Sequence, residues 1–185
     1  MKNLYYIIII FISLGSSAIS EIAIDTLNQI KEGNKLIFIR HAYAPGEGDP
    51  KFFNINDCLT QRNLSKEGKN QAKNIGNFFI NNQIDYEKVY SSEWCRCKDT
   101  AFIVFKNFET KNFLNSFYEQ KFSKNKKNQI KNLKKFVENS KSSKNIILIT
   151  HFVVISEALN FFPESGEIVI SDKKFNEIDS YKIEY

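Results

Sequence analysis

Two histidines occur among the 185 residues, and each follows a short apolar run: His41 after Leu36-Ile37-Phe38-Ile39 and Arg40, His151 after Ile146-Ile147-Leu148-Ile149 and Thr150. A neutral imidazole is a nucleophile or a proton carrier near neutral pH. The arginines are placed as selectively. Arg40 adjoins His41, Arg96 follows a third segment that ends at Ser91, and Arg62 closes a long polar stretch, in a chain whose other basic residues are lysines. A guanidinium fork matches phosphate oxygens in a way that an ammonium does not. Two imidazoles and three guanidiniums on one surface would form a phosphate pocket.

The elements must bring those residues together. Lys35–Ile39 and Asn145–Thr150 are apolar without alternation, the pattern of strands buried on both faces of a parallel sheet. Lys88–Ser91 and Glu167–Ile170 read as two further strands, and the closing segment 175–185 is a candidate for another. Helices fill the gaps. Ser65 is placed as an N-cap ahead of Ala72, Ile75, Phe78 and Phe79, which share one helical face. Glu93–Phe105 reads as a second helix. Asn128–Ser140, with a stripe of Ile130, Leu133, Phe136 and Val137, reads as a third, and about Val153–Phe161, stopping before Pro163, as a fourth. Strand and helix alternating in this order predict a layered α/β domain. Sites in open parallel sheets form at the carboxyl ends of strands, which puts both histidines on one edge. The aperiodic stretch Ala42–Asn63 is a long loop, and long loops inside compact domains are usually functional.

Composition sets outer limits. A hydrophobic content of 42% with 14% aromatic residues fills a core and excludes global disorder. The net charge of +5 favours anionic partners without naming one. The six lysines within Lys124–Lys135 read as a solvated helix face; without interleaved aromatics or zinc-finger spacing, no nucleic-acid partner is expected.

Residues 1–20 have the layout of a secretory signal peptide. Lys2 precedes an apolar run from Leu4 to Leu14, and small residues follow, with cut sites after Ala18 or Ser20. The run is shorter than the roughly 20 residues of a membrane span. An uncleaved N-terminal anchor is the alternative. The expectation is an exported protein, periplasmic or secreted, with a single domain over residues 21–185 and no stable membrane insertion after cleavage. In an oxidising compartment two of Cys58, Cys95 and Cys97 can pair, with Cys58 as one end; three buried free thiols is the other reading. Whether Cys58 would pair with Cys95 or with Cys97 stays open.

Three blocks in order carry a resemblance. Arg40-His41-Ala42, then Ser91-Ser92-Glu93-Trp94-Cys95-Arg96 running to Thr100-Ala101, then Ile149-Thr150-His151, resemble the motifs of the histidine phosphatase superfamily, the phosphoglycerate-mutase-like fold. Ala44-Pro45-Gly46, Gly48-Asp49-Pro50, Asp57-Cys58 and Gln61-Arg62-Asn63-Leu64-Ser65 look like a small exported branch of it with an Arg-His-Ala motif. The resemblance covers nearly all of residues 35–170. It implies a three-layer α/β/α domain with a mostly parallel central sheet. It also implies a phosphatase in which His41 attacks phosphorus to form a phosphohistidine, Arg40 and Arg96 clamp the phosphoryl oxygens, and His151, cationic in the substrate complex, donates to them. Arg62 and Asn63 are expected around the phosphate or the rest of a small phosphorylated substrate. Neither metal nor cofactor is expected, since no ligand set has metal spacing. Two features depart from the family pattern. Ala42 stands where glycine is usual, and the glutamate that protonates the leaving oxygen has no clear counterpart. Glu93 is favoured for that role by its strand-end position near Arg96; Glu119 and Asp57 are the other candidates.

The competing readings are a phosphotransferase or mutase of the same fold, and a non-catalytic module that binds phosphorylated ligands with the same arginines. A cysteine-based phosphatase needs an arginine six positions after its cysteine, and no cysteine here has one. Phe113, Phe117 and Tyr118 suit either an apolar part of the substrate or the core.

Overall fold

The computed structural model describes residues 24–184; the expected leader at residues 1–20 lies outside them. In chain order the elements are α1 (Ile24–Glu32), β1 (Leu36–Arg40), α2 (Lys66–Asn81), β2 (Tyr86–Ser91), α3 (Cys95–Phe105), β3 (Glu109–Thr110), α4 (Gln120–Ser123), α5 (Lys126–Glu138), β4 (Asn145–Thr150), α6 (Phe152–Leu159), β5 (Ile168–Ser171) and β6 (Glu177–Tyr181). The six strands form one sheet in the order β3-β2-β4-β1-β5-β6. β1, β4, β2 and β3 pair in parallel, while β5 runs antiparallel to both β1 and β6.

The unbroken apolar runs are the centre of the sheet, covered on both faces. Along β1, Ile37 and Ile39 face a core shared with Ile75, Phe79 and Ala101, whereas Leu36 and Phe38 face one shared with Leu133, Val137 and Ile155. β4 alternates in the same way, with Ile147 and Ile149 on the first side and Ile146 and Leu148 on the second. Period-2 side-chain direction combined with apolar residues at every position leaves no face for water, so helices must cover both. The result is a three-layer α/β/α domain with a mostly parallel sheet. Fully burying each such Ile, Leu or Phe contributes about 1.5–3 kcal/mol.

Several local expectations hold. Ser65 caps α2, accepting from the Gly68 N–H at 3.1 Å. α6 stops at Asn160, which adopts the left-handed conformation ahead of Pro163. Other features were not among those expected. α1, in which Ile24, Leu27 and Ile30 recur every third residue, is an element not expected from the sequence, and it buries Thr26 and Ile30. The helix expected from Glu93 begins at Cys95, and Glu93 lies in the preceding turn. Within the long loop, a short 3-10 turn spans Cys58–Thr60. Phe113 and Phe117 are buried core residues, whereas Tyr118 is exposed.

Candidate active site

β1 and β4 are adjacent and in register, so Arg40 lies beside Thr150 and the chain leaves both strands at one edge. The His41 N–H donates to the Thr150 carbonyl at 2.9 Å, and the Ser92 N–H at the end of β2 donates to the Ile149 carbonyl at 2.9 Å. These bonds bring His41, His151 and the start of α3 together. The two imidazole rings lie 5.4 Å apart, both buried, on the wall of a cavity of about 340 Å³ that Arg40, Arg62 and Arg96 also line.

The hydrogen bonds fix which nitrogen of His41 can react. Its Nδ1 lies 2.9 Å from the Ala42 carbonyl oxygen, which can only accept, so Nδ1 carries the proton. Nε2 therefore holds the lone pair, and the Arg96 Nε–H points to it at 3.2 Å. Burial, then Arg96, with Arg40 and Arg62 contributing, holds the His41 pKa well below its ordinary value of 6.5. The free imidazole is neutral at pH 7. Thr100 steadies this corner: its hydroxyl accepts from the Ala42 N–H at 3.1 Å and donates to the Arg96 carbonyl at 2.7 Å.

His151 is held by a different set. Ser92 Oγ lies 2.8 Å from its Nε2 and donates its one proton to Asn115 Oδ1 at 3.1 Å. His151 Nε2 is therefore the donor in that pair, and Nδ1 is left to gain a proton. Burial, Arg96 and His41 push this pKa well below 6.5 too, so His151 is neutral in the free protein. The cation expected in the substrate complex requires an anion to reverse that balance.

Asp49, to which the sequence assigns no role, organises the arginines. Its Oδ1 and Oδ2 accept from Arg96 Nη1 at 2.8 Å and Nη2 at 3.2 Å, with both side chains only 3% exposed. It also accepts from the Arg62 N–H at 3.0 Å and from Trp94 Nε1 at 3.0 Å. Burial raises the Asp49 pKa, but these donors, led by Arg96, outweigh it and leave the pKa below its ordinary value. Arg62 also bonds the Gly48 carbonyl at 2.9 Å and the Ala44 carbonyl. Arg40 is braced on the Pro163 carbonyl at 2.8 Å and over the Phe152 ring at 5.4 Å, and its buried Nε has no partner among the described residues. An unmet buried donor costs about 1–3 kcal/mol unless a ligand or water completes it. Burial and the neighbouring Arg96 lower the pKa of both Arg40 and Arg62 from the usual value. The cavity thus holds repelling cations that an anion would relieve.

Five of the expected site residues, Arg40, His41, Arg62, Arg96 and His151, line this cavity. Two lie elsewhere. Glu93 lines a neighbouring cavity, and its carboxylate accepts from Asn115 Nδ2 at 2.5 Å. The Asn63 amide bonds the Cys58 and Gln61 carbonyls at 2.6 and 3.1 Å, inside its own loop. Besides Asp49, two carboxylates line the cavity: Glu47, which is exposed, and Glu119, whose Oε1 accepts from the Asp49 N–H at 3.0 Å. Gly48 makes room for it: a Cβ there would meet Glu119 Oε1 at 2.6 Å. Among the described residues, no cluster of three His, Cys, Asp or Glu could hold a metal ion.

No protein-family model and no curated protein sequence matches the chain. Solved structures do. The protein histidine phosphatase SixA, complexed with tungstate, superposes with a TM-score of 0.56 at 14% identity, over 81% of this chain and 96% of its own. Phosphoglycerate mutase from Thermus thermophilus gives 0.56 at 15% identity, over 81% and 99%. The product of open reading frame Rv3214 from Mycobacterium tuberculosis gives 0.57 at 14% identity, over 82% and 97%. With its six-stranded α/β/α architecture, this chain has the fold of the histidine phosphatase superfamily, the phosphoglycerate-mutase-like fold.

Proposed function

We propose that the protein is a phosphatase that hydrolyses a phosphate monoester through a phosphohistidine on His41. The observation that carries this reading is the Nδ1–H bond from His41 to the Ala42 carbonyl, which leaves the lone pair on Nε2, where it accepts from the Arg96 Nε–H on the wall of an arginine-lined cavity. In the first step His41 Nε2 bonds to phosphorus as the ester P–O bond breaks, and the leaving oxygen takes a proton from the Glu119 carboxyl. In the second, water attacks phosphorus, Glu119 takes its proton, and the N–P bond breaks to release phosphate. Arg40 and Arg96 offset the charge on the equatorial oxygens. A bound dianion raises the His151 pKa, so that Nδ1 becomes a further donor. Glu119 replaces Glu93 as the proton donor in this reading because it lines the cavity and Glu93 does not, and because, unlike the exposed Glu47, it is held in place by the Asp49 N–H. Asp49 is unsuited, since its bonds to Arg96 keep it ionised.

Export is part of the proposal. A disulfide joins Cys58 to Cys95, and such bonds persist in oxidising compartments. The signal-like leader agrees with it.

Incubation with an aryl phosphate in EDTA, over pH about 4–8, compares the native protein with His41→Ala. The expected result is chelator-resistant hydrolysis that disappears in the variant, with an acid-labile phosphohistidine trapped on quenching the native protein. Equal turnover in both proteins would remove His41 as the nucleophile. Absence of turnover would leave the arginines as a phosphate-recognition site, to be measured by phosphate binding.

A further inference from the structure

A second cavity, of about 780 Å³, adjoins the first, and Trp94, Ser116 and Phe122 line both. That volume lies within the roughly 300–1,000 Å³ typical of small-molecule sites. One wall is the face of α5 and its N-cap, where Asn125, Asn128 and Asn132 recur at helical spacing. All three are exposed, and their side-chain amides have no hydrogen-bond partner among the described residues. Asn125 occupies the N-cap without its side chain capping the helix, although capping is what asparagine ordinarily does there. Asparagine is also a weak helix former, so local structure does not account for the set.

The other walls differ in chemistry. Phe53 stacks on Trp94 at 5.0 Å and 26°, and Phe122 meets both rings edge-on. The charged lining residues are one cation, Lys121, and one anion, Glu93. The arginine-lined cavity attracts a phosphate; this one has no net charge with which to attract a second. Each free amide offers both a donor and an acceptor, as a sugar hydroxyl does. The rings cover one another's faces, and the Lys121 ammonium lies over Phe53 at 5.3 Å and over Phe122 at 5.1 Å, so Phe53 and Phe122 offer apolar edges beside a cation rather than an open stacking face.

We propose that this second cavity is a carbohydrate subsite, holding the neutral, polyhydroxylated part of a phosphorylated sugar whose phosphate occupies the first. That the sugar belongs to a substrate rests on the phosphatase reading; that a sugar binds here does not.

Trp94 is the only tryptophan in the chain and lines both cavities, so its fluorescence reports on the wall they share, and the asparagine variant tells the two apart. The experiment titrates the full chain with neutral gluco-, manno- and galacto-di- and trisaccharides, and with adenosine. It is repeated on Asn125→Ala/Asn128→Ala/Asn132→Ala, whose fold is checked by circular dichroism. The expected result is a saturable change with at least one saccharide, weakened about tenfold or more in the triple variant, equivalent to about 1.4 kcal/mol or more. The same variant is expected to raise KM for the matching sugar phosphate while leaving aryl phosphate kinetics unchanged. A response to adenosine alone, no response to any saccharide, or equal responses in the two proteins would overturn the subsite. The two readings fail separately. Aryl phosphate hydrolysis without saccharide binding removes the subsite only; saccharide binding without any hydrolysis removes the phosphatase reading and keeps the subsite.

Discussion

Asp49 and Arg96 form a buried bidentate pair whose guanidinium also reaches His41, so a carboxylate stands at the back of a cavity built for anions. It holds the fork in place, while Arg40 and Arg62, neither in an ion pair among the described residues, supply further positive charge to the cavity. The imidazoles have a measurable consequence for stability. Both folded pKa values lie well below 6.5, through burial first and then Arg96. Below pH 6.5 the unfolded chain therefore binds protons that the folded chain refuses. Stability rises with pH through that window and is lost as pH falls from 6.5, by up to about 1.4 kcal/mol per pH unit for each imidazole. The Asp49 contribution behaves differently, being present above its ordinary pKa of 3.8 and lost only at lower pH. Thermal unfolding at constant salt should show Tm already falling between pH about 6.5 and 5, less steeply in His41→Gln. A flat Tm over that range would contradict the assignment of two neutral buried histidines.

At the scale of elements, the start of α2 braces the loop that follows His41. Ser65 N–H donates to the Tyr43 carbonyl at 3.3 Å, and Gln71 Oε1 accepts from the Tyr43 N–H at 2.8 Å. Gly68 makes that approach possible, because a Cβ there would overlap the Tyr43 carbonyl oxygen. In an unhindered helix Gly→Ala stabilises by about 1 kcal/mol. Here Gly68→Ala is expected to destabilise by more than Ser65→Ala, whose lost cap costs about 1 kcal/mol, and to lower kcat by displacing Tyr43 from its place two residues after His41. Urea unfolding and aryl phosphate kinetics on the two variants check this; a higher midpoint for Gly68→Ala would show that α2 can shift without cost. The α6–β5 connection braces the same edge: the Gly166 N–H reaches both the Arg40 and His41 carbonyls at 3.2 Å.

Across the whole molecule, the long loop belongs to the site because it is tied to it. The Cys58–Cys95 disulfide closes a sequence separation of 37 residues and fastens the loop beside Arg96, while Gln61 Oε1 accepts from the Cys95 N–H at 2.9 Å. Closing a loop of that length stabilises by roughly 3–4 kcal/mol in the chain-entropy account. Reductant, or Cys58→Ser, is therefore expected to lower stability by about that amount and to lower kcat/KM through the loosened Asp49–Arg96 pair. Chemical denaturation and kinetics with and without reductant test both effects. Unchanged kcat/KM in fully reduced protein would show that the clamp holds without the bond. Cys97 does not confuse the experiment, because burial pushes its thiol up to about 12 and keeps it protonated.

Unbroken apolar runs at β1 and β4 determined the buried parallel sheet by themselves, since a segment apolar at every position must be covered on both faces. From that followed the edge shared by His41 and His151, and the placing of Arg40 and Arg96 near it. The three ordered motif blocks made the fold legible as well. The tertiary structure decided what spacing cannot express. Asp49 reads in sequence as one more loop carboxylate, and only the folding of residues 42–63 over α3 brings it onto Arg96. Position along the chain favours Glu93 over Glu119 as the acid; the turn into α3 sends Glu93 into the asparagine-lined cavity, and the loop before α4 brings Glu119 against Gly48. The choice between Cys95 and Cys97 was settled in the same way, by which side of a single helical turn faces the loop. Local pattern records how each segment buries itself, whereas polar contacts between distant loops depend on how the segments pack.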